Sequence, residues 1–359
     1  MGSTMKAVVL CGGEGTRLRP FTHTQAKHLL PVAGKPVVEH ALAAVREAGI
    51  RDVAIVVSPS VEGQFQERLG DGSRVGLRLT YVVQPEARGL AHAVLCAQSY
   101  LGNGPFLVYL GDNLLQGGIT GVVSLFRSQS PAAVVTLRRV EDPRRFGVAV
   151  IEDGRLVRLV EKPEHPPSDL AIVGAYAFTP LLFQAAREVK PSFRGELELT
   201  DCLQWLVDRG HPVLPFEVRG WWQDVGRPAD LLAANRLLLA GIEPRVEGEV
   251  DGNSSLEGLV VIERGARVVA SRVIGPAVVG EEAVIERSTV GPHVAVGPRA
   301  VVREATVADT ILMDGARVEQ GARIVGAVLG RGARVRLPMG RPSSAFLGDE
   351  STLEVKEEG

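Results

Sequence analysis

Cysteine is scarce. Cys11, Cys96 and Cys202 are the only three in 359 residues, and no two stand at a metal-ligand spacing. Isolated thiols of this kind fit a reduced, cytoplasmic setting, and a cytoplasmic location is expected. Cys11 lies among glycines, where small-residue packing explains it better than nucleophilic chemistry. No stretch approaches the roughly 18 uncharged apolar residues of a membrane span, and no signal peptide opens the chain, so no membrane partner is expected. Met1-Gly2-Ser3-Thr4, ahead of Met5, reads as an appended leader and is set aside. Lys and Arg number 40 against 42 Asp and Glu, a net charge of -2 that gives a nucleic-acid backbone nothing to hold. The seven histidines do not cluster and no H-E-x-x-H occurs, so nothing points to zinc.

What remains is a globular chain, 45% hydrophobic and 23% charged, long enough for two domains with a sizeable core. Its most informative stretch is Leu10-Cys11-Gly12-Gly13-Glu14-Gly15-Thr16-Arg17-Leu18-Arg19-Pro20, followed by Lys27. It comes directly after an apolar, strand-like run at residues 7–10. Three glycines let the backbone turn sharply and approach a ligand. Uncovered amides bind phosphate oxygens, and Arg17 and Lys27 add positive charge beside them. A triphosphate cradle at the carboxyl end of a strand is the expectation, although a lone G-x-G would mean no more than a surface turn. No Gly-Lys-Ser/Thr follows, so this is not a Walker loop. Leu18 stands where a dinucleotide fingerprint needs its third glycine.

From residue 5 to 240, short apolar runs (7–10, 53–57, 79–83, 106–110) alternate with helical patterns (37–48, 62–69, 90–101). This alternation predicts parallel crossovers and an α/β, Rossmann-like sheet covered on both faces. Ligands in such sheets bind at the carboxyl ends of strands. Runs at 132–138, 148–151 and 156–160 form a later strand group, with Asp153-Gly154 as a hairpin turn. From 245 to 355 the period changes. Ile262, Val268, Ile274, Val279, Ile285, Val290, Val296 and Val302 recur mostly six residues apart, then Leu312, Val318, Ile324, Leu329 and Val335. Glycine often follows the aliphatic residue. One inward aliphatic per flat face is a solenoid signature, and thirteen anchors suggest roughly four three-sided coils.

Several segments could carry chemistry. Gly111-Asp112-Asn113 follows a strand, and an Asp there suits Mg²⁺ held by one or two carboxylates plus phosphate oxygens. Alone it would be a turn. Asp224, in Trp221-Trp222-Gln223-Asp224, is a carboxylate in an aromatic run that needs a partner; a metal or the cap of a helix near Pro228 would serve. Gln84, with its donor and acceptors, suits a pyrimidine edge, and Gly89 allows close approach, although a structural turn accounts equally well for this stretch. Glu161-Lys162-Pro163 offers an acceptor for hydroxyls and a charge for a phosphate, or simply an exposed strand-end pair. Glu196 and Thr200 precede a helical pattern, where Thr200 could cap. His293, inside the repeat, is a lone histidine.

The string G-G-x-G-T-R-L-x-P, with downstream K-H-L-L-P-V (Lys27 to Val32), Lys35-Pro36, G-L-A-H-A (Gly89 to Ala93), G-D-N, E-K-P and W-x-D-x-G in this order, resembles the sugar-nucleotide pyrophosphorylases. The likeness covers nearly the whole chain. It is greatest to the long-form glucose-1-phosphate thymidylyltransferases, which also share the closing Leu347-Gly348-Asp349. The repeats resemble the hexapeptides of left-handed parallel β-helices. The resemblance implies a Mg²⁺-dependent nucleotidyltransferase joining dTTP, or another nucleoside triphosphate, to a sugar 1-phosphate. Arg17, Lys27 and Lys162 would be catalytic. Leu10, Gly12, Gly13, Gly15, Thr16, Gln84 and Gly89 would bind nucleotide. Gly147, Glu161, Lys162, Ile172, Glu196 and Thr200 would bind sugar. Asp112 and Asp224 would hold the metal. Phe146 departs from the tyrosine of many relatives and removes a hydroxyl. A UDP- or ADP-sugar pyrophosphorylase would share these motifs. A bifunctional enzyme would also acetylate an amino sugar phosphate, but the repeat region is short for that. A non-catalytic regulatory relative would be expected to have lost one of these charges, and none is lost. Solenoid faces pack into symmetric assemblies, so a homo-oligomer is expected.

Overall fold

The structure is a computed structural model and describes residues 4–338 and 340–355. Residues 1–3 lie outside them. The chain divides into two compact units. One comprises the residues up to 13 together with 38–224; the other comprises 14–37 together with 225 onward.

The first unit is built on a sheet of nine strands among the described residues. Its central strand, Lys6–Leu10, lies parallel between Asp52–Val57 and Phe106–Leu110. Arg78–Val83 extends that side in parallel. Beyond Phe106–Leu110 the sheet turns antiparallel through Leu170–Phe178, which carries Gly147–Glu152 and Ala133–Arg139 as neighbours. Arg155–Glu161 and Val213–Glu217 complete it. The mixed sheet follows from the connections: helices Val37–Glu47 and Glu62–Leu69 return the chain for parallel pairing, whereas Asp153-Gly154, both at positive φ, reverses it. Leu170–Phe178 is buried at all nine positions, as a strand covered on both faces requires. Its core includes Val8, Val56, Phe106, Val108, Phe178, Cys202 and Leu206. The helical pattern at 90–101 is divided into Leu90–Cys96 and Gln98–Leu101, with Ala97 capping the first helix at their junction.

The second unit holds a left-handed parallel β-helix. Among the described residues two of its faces have seven strands each and the third has five. Each anchor stacks on the equivalent residue of the next coil: Val268 on Ile285, Ile285 on Val302, and Val302 on Val318. The solenoid is therefore longer than the roughly four coils read from the repeat. It starts at Arg245–Val246 and closes at Thr352–Glu354, where the aliphatic spacing is too irregular to count. Helix Pro228–Leu239 leads into it, with Leu239 packing against Val261 and Val278. Residues 14–37 form three short 3₁₀ turns and the hairpin Pro31–Val32/Lys35–Pro36.

Candidate active site

In the first unit the parallel strands deliver their carboxyl ends side by side. The Cys11 N–H bonds the Val56 carbonyl, and the Gly111 N–H bonds the Leu10 carbonyl, at 2.8 and 2.9 Å. Leu10, Gly12 and Gly13 thus leave the sheet beside Gly111-Asp112. Asp112 and Asp224, far apart in sequence, meet through Asn113. The short strands Trp222–Asp224 and Asn113–Leu115 pair antiparallel, with Asp224 opposite Asn113. The Asn113 amide donates to Asp112 Oδ1 at 2.9 Å and to Asp224 Oδ1 at 3.4 Å. Its carbonyl oxygen accepts from the Gly174 N–H at 3.2 Å and from Trp222 Nε1 at 2.7 Å. Asn113 is 2% exposed, so all its polar valence is spent inside the protein.

Two carboxylates turned toward one small donor provide hard oxygen ligands, the set a divalent cation of the Mg²⁺ type accepts when phosphate oxygens complete its shell. No group of three or more His, Cys, Asp or Glu side chains suited to a metal occurs among the described residues, so the remaining ligands would come from the substrate. Asp224 lies in a strand and does not cap the following helix, whose N-cap is Arg227. Asn113 carries the arrangement and was not singled out from sequence; its place beside Asp112 in the G-D-N string was the available signal.

A second group gathers where Gly147–Glu152 meets helix Leu199–Asp208. A Cβ on Gly147 would lie 2.7 Å from Thr200 Oγ1, 3.0 Å from Ile172 Cδ1 and 3.1 Å from Glu161 Oε2. Four of the residues expected to bind sugar therefore converge, and only a glycine fits among them. Thr200 does not cap: Glu198 occupies the N-cap position, and Thr200 Oγ1 donates to Glu161 Oε2 at 2.6 Å. Lys162 Nζ lies 3.2 Å from Glu161 Oε1. Its backbone sits at φ +41°, a strained conformation for a side-chain-bearing residue. Arg194, which sequence reasoning missed, is 2.8 Å from Glu196, 3.2 Å from Glu198 and 3.7 Å from Glu161. No motif marked it, because its partners come from separate segments. Burial, then the neighbouring Glu161 charge, raises the pKa of Glu198, with Arg194 partly opposing. Burial raises Asp201 as well.

Gln84 and Gly89 share a third corner. Gln84 Nε2 donates to the Gly89 carbonyl at 3.1 Å. Gly89 has φ +98°, and a Cβ there would lie 2.5 Å from the Leu197 carbonyl oxygen. The Leu197 N–H bonds the Arg88 carbonyl, and the Leu197 carbonyl accepts from the Ala91 N–H. The Gln84–Gly89 corner is thereby zipped to the segment carrying Glu196. Phe146, the departure noted above, packs edge-on against Trp222 at 4.8 Å between ring centroids.

Gly15, Thr16, Arg17 and Lys27 belong to the second unit. Gly15 is left-handed, its carbonyl accepts from Thr22 Oγ1 at 2.8 Å, and a Cβ there would lie 3.0 Å from Lys27 Cβ. Thr16 and Arg17 follow in the 3₁₀ turn Thr16–Leu18.

Residues 6–241 match the nucleotidyl transferase family. The chain is 49% identical over 290 residues to a glucose-1-phosphate thymidylyltransferase of Streptomyces antibioticus, covering 80% of this chain and 81% of that one. Among solved structures it resembles a Bacillus anthracis protein assigned as a glucose-1-phosphate thymidylyltransferase (TM-score 0.62, 39% identity, 65% of this chain and 94% of that one). It also resembles a UDP-glucose pyrophosphorylase bound to UDP-glucose, with TM-score 0.60 and 27% identity over 67% of this chain and all of that one. The chain belongs to the nucleotidyl transferase family as a sugar-nucleotide pyrophosphorylase.

Proposed function

We propose that the protein is a glucose-1-phosphate thymidylyltransferase, joining dTTP and glucose 1-phosphate to give dTDP-glucose and pyrophosphate. The observation that carries this reading is the convergence of Asp112 and Asp224 on Asn113 just past the strand Phe106–Leu110. Relatives with the thymidylyltransferase name at 49% identity favour thymidine over other bases and glucose over other sugars.

A phosphate oxygen of the sugar attacks the α-phosphorus of the nucleotide. One P–O bond forms there as the α–β P–O bond breaks and pyrophosphate departs. Both substrates are anions, so positioning and charge neutralisation are the catalytic task. Lys162 holds the sugar phosphate. Glu161, Glu196 and Thr200 bond sugar hydroxyls, with Gly147 and Ile172 shaping the floor. Arg17 meets the leaving phosphates and Lys27 the triphosphate near the reacting centre. The backbone of Leu10, Gly12, Gly13, Gly15 and Thr16 cradles the nucleotide, with Gln84 and Gly89 at its base. Asp112 and Asp224 would hold Mg²⁺. When bound, the ion would neutralise phosphate charge and polarise the reacting phosphoryl group.

Among the described residues no helix is long and apolar enough to cross a membrane. The scarcity of cysteine supports a cytoplasmic location, and the solenoid faces support a homo-oligomer. The test is pyrophosphate release from dTTP, UTP and ATP, each with glucose 1-phosphate, with and without Mg²⁺. Fastest turnover with dTTP, abolished by chelation, is expected. Preference for UTP or ATP would overturn the base assignment, and release without any divalent ion would overturn the metal's role.

A further inference from the structure

Gln84 stands one residue past the strand Arg78–Val83, and its backbone N–H bonds the Val57 carbonyl at 2.8 Å. Its main chain therefore still belongs to the sheet, and it is only 7% exposed. Its side-chain amide is held from one side. Nε2 lies 3.1 Å from the Gly89 carbonyl oxygen and 3.1 Å from His92 Nδ1. Oε1 faces the other way, toward the glycine turn, where a Cβ on Gly12 would lie 3.0 Å from it.

A backbone carbonyl can only accept, so the amide atom beside Gly89 is the NH₂ group. His92 Nδ1 must then accept the second amide hydrogen, which puts the imidazole proton on Nε2. That nitrogen lies 3.9 Å from the sulfur of Cys96, one turn along the same helix. Both amide hydrogens are spent within the protein. What Gln84 presents toward the glycine turn is an acceptor alone.

We propose that His92 is a positioning residue for base selection. By taking the second hydrogen of Gln84 Nε2, it locks the amide with Oε1 toward the nucleotide. The site then favours a pyrimidine whose ring N3 carries a hydrogen, such as thymine or uracil. It disfavours cytosine, whose N3 is a lone pair facing another acceptor. An amide turned over would present NH₂ and suit cytosine instead. Turning it over sets Oε1 against the Gly89 carbonyl, which can only accept, and against the lone pair of His92 Nδ1 as long as the imidazole proton stays on Nε2 beside the Cys96 sulfur; without His92 the Gly89 clash alone remains. A polar site tuned in this way discriminates through the unpaired groups that the wrong ligand leaves behind. This inference rests on the nucleotidyl-transfer reading and concerns which base that site takes.

The test is direct binding of dTTP and dCTP to the full chain by calorimetry, comparing wild type with His92→Ala and His92→Gln. Wild type should prefer dTTP. In His92→Ala the dTTP-over-dCTP ratio should fall about five-fold, the scale of one lost hydrogen bond. Glutamine offers an acceptor within reach of the same hydrogen, and His92→Gln should restore the ratio to within about two-fold. Equal weakening of both nucleotides would mean a merely structural role and would overturn the proposal. So would a wild type that binds both alike. Should the alanine variant not fold, His92→Leu fills the space without an acceptor and gives the same comparison. Pyrophosphate release by wild type is read separately, so failure of the catalytic reading and failure of the amide lock are told apart.

Discussion

Asn113 concentrates the chemistry of the first unit in one side chain. Its amide holds two carboxylates while its oxygen takes the Gly174 N–H and the Trp222 indole. Asn113→Ala should therefore lower turnover about 10–100-fold by letting Asp112 and Asp224 drift. Asp112→Asn or Asp224→Asn should cost about 100-fold or more in turnover. Pyrophosphate release beside melting curves checks both, and near wild-type rates in the two aspartate variants would remove their assignment. Gly147 is the tightest point of the second group. Gly147→Ala drives a methyl into the Thr200–Glu161 bond and should raise KM for the sugar phosphate more than it lowers kcat. Steady-state kinetics with sugar phosphate varied would reveal it. Glu198 gives a pH signature. Its pKa is raised in the folded state by burial, so the folded chain keeps a proton that the unfolded chain has lost. Its contribution to stability is full below the ordinary carboxyl range and falls as pH climbs through the raised value. Glu198→Gln should accordingly gain melting temperature relative to wild type at about pH 7 compared with about pH 4.

At the scale of elements, the solenoid separates interior from exterior cleanly. Ile285 is fully buried between Val268 and Val302, and Ile285→Ala should cost about 2–5 kcal/mol in urea unfolding. Arg287 lies outside, paired with Glu286 and Glu304, and Arg287→Ala should cost less than about 1 kcal/mol because water screens exposed pairs. The repeating aliphatic positions were readable because parallel coils demand the same residue type at the same place in every turn. The number of coils was not, because the terminal turns, such as Glu249–Val250 and Phe346–Leu347, are half-exposed and under weaker constraint. Thr200 shows a similar limit. Its place at a helix start was visible, but its bond to Glu161 depends on a strand that arrives from another part of the chain.

Within the second unit as a whole, residues 14–37 are tied to the solenoid by specific bonds. Asn235, fully buried, accepts from the Ala33 N–H at 2.9 Å and donates to the His293 carbonyl at 3.1 Å. Thr24 Oγ1 donates to Asp349 Oδ2 at 2.7 Å, and a Cβ on Gly348 would lie 3.1 Å from Pro20 Cβ. His293, singled out as a lone histidine, has its backbone used here. Asn235→Ala leaves the half-buried Ala33 N–H and His293 carbonyl unpaired, at a combined cost of about 1–3 kcal/mol. Amide exchange should quicken across residues 30–37 while Phe106–Leu110 keeps its protection; unchanged exchange at 30–37 would show that Asn235 does not hold this segment.

The order of motifs, the Rossmann-like alternation and the six-residue repeat were all contained in the amino-acid sequence. Each is a local pattern, imposed by strand and coil geometry over a few residues at a time. Only the folded chain decided that Asn113 would join two distant carboxylates, that Arg194 would sit among Glu161, Glu196 and Glu198, and that residues 14–37 would group with the β-helix. Those are meetings of segments remote along the chain, and packing in three dimensions, rather than any local period, selects them.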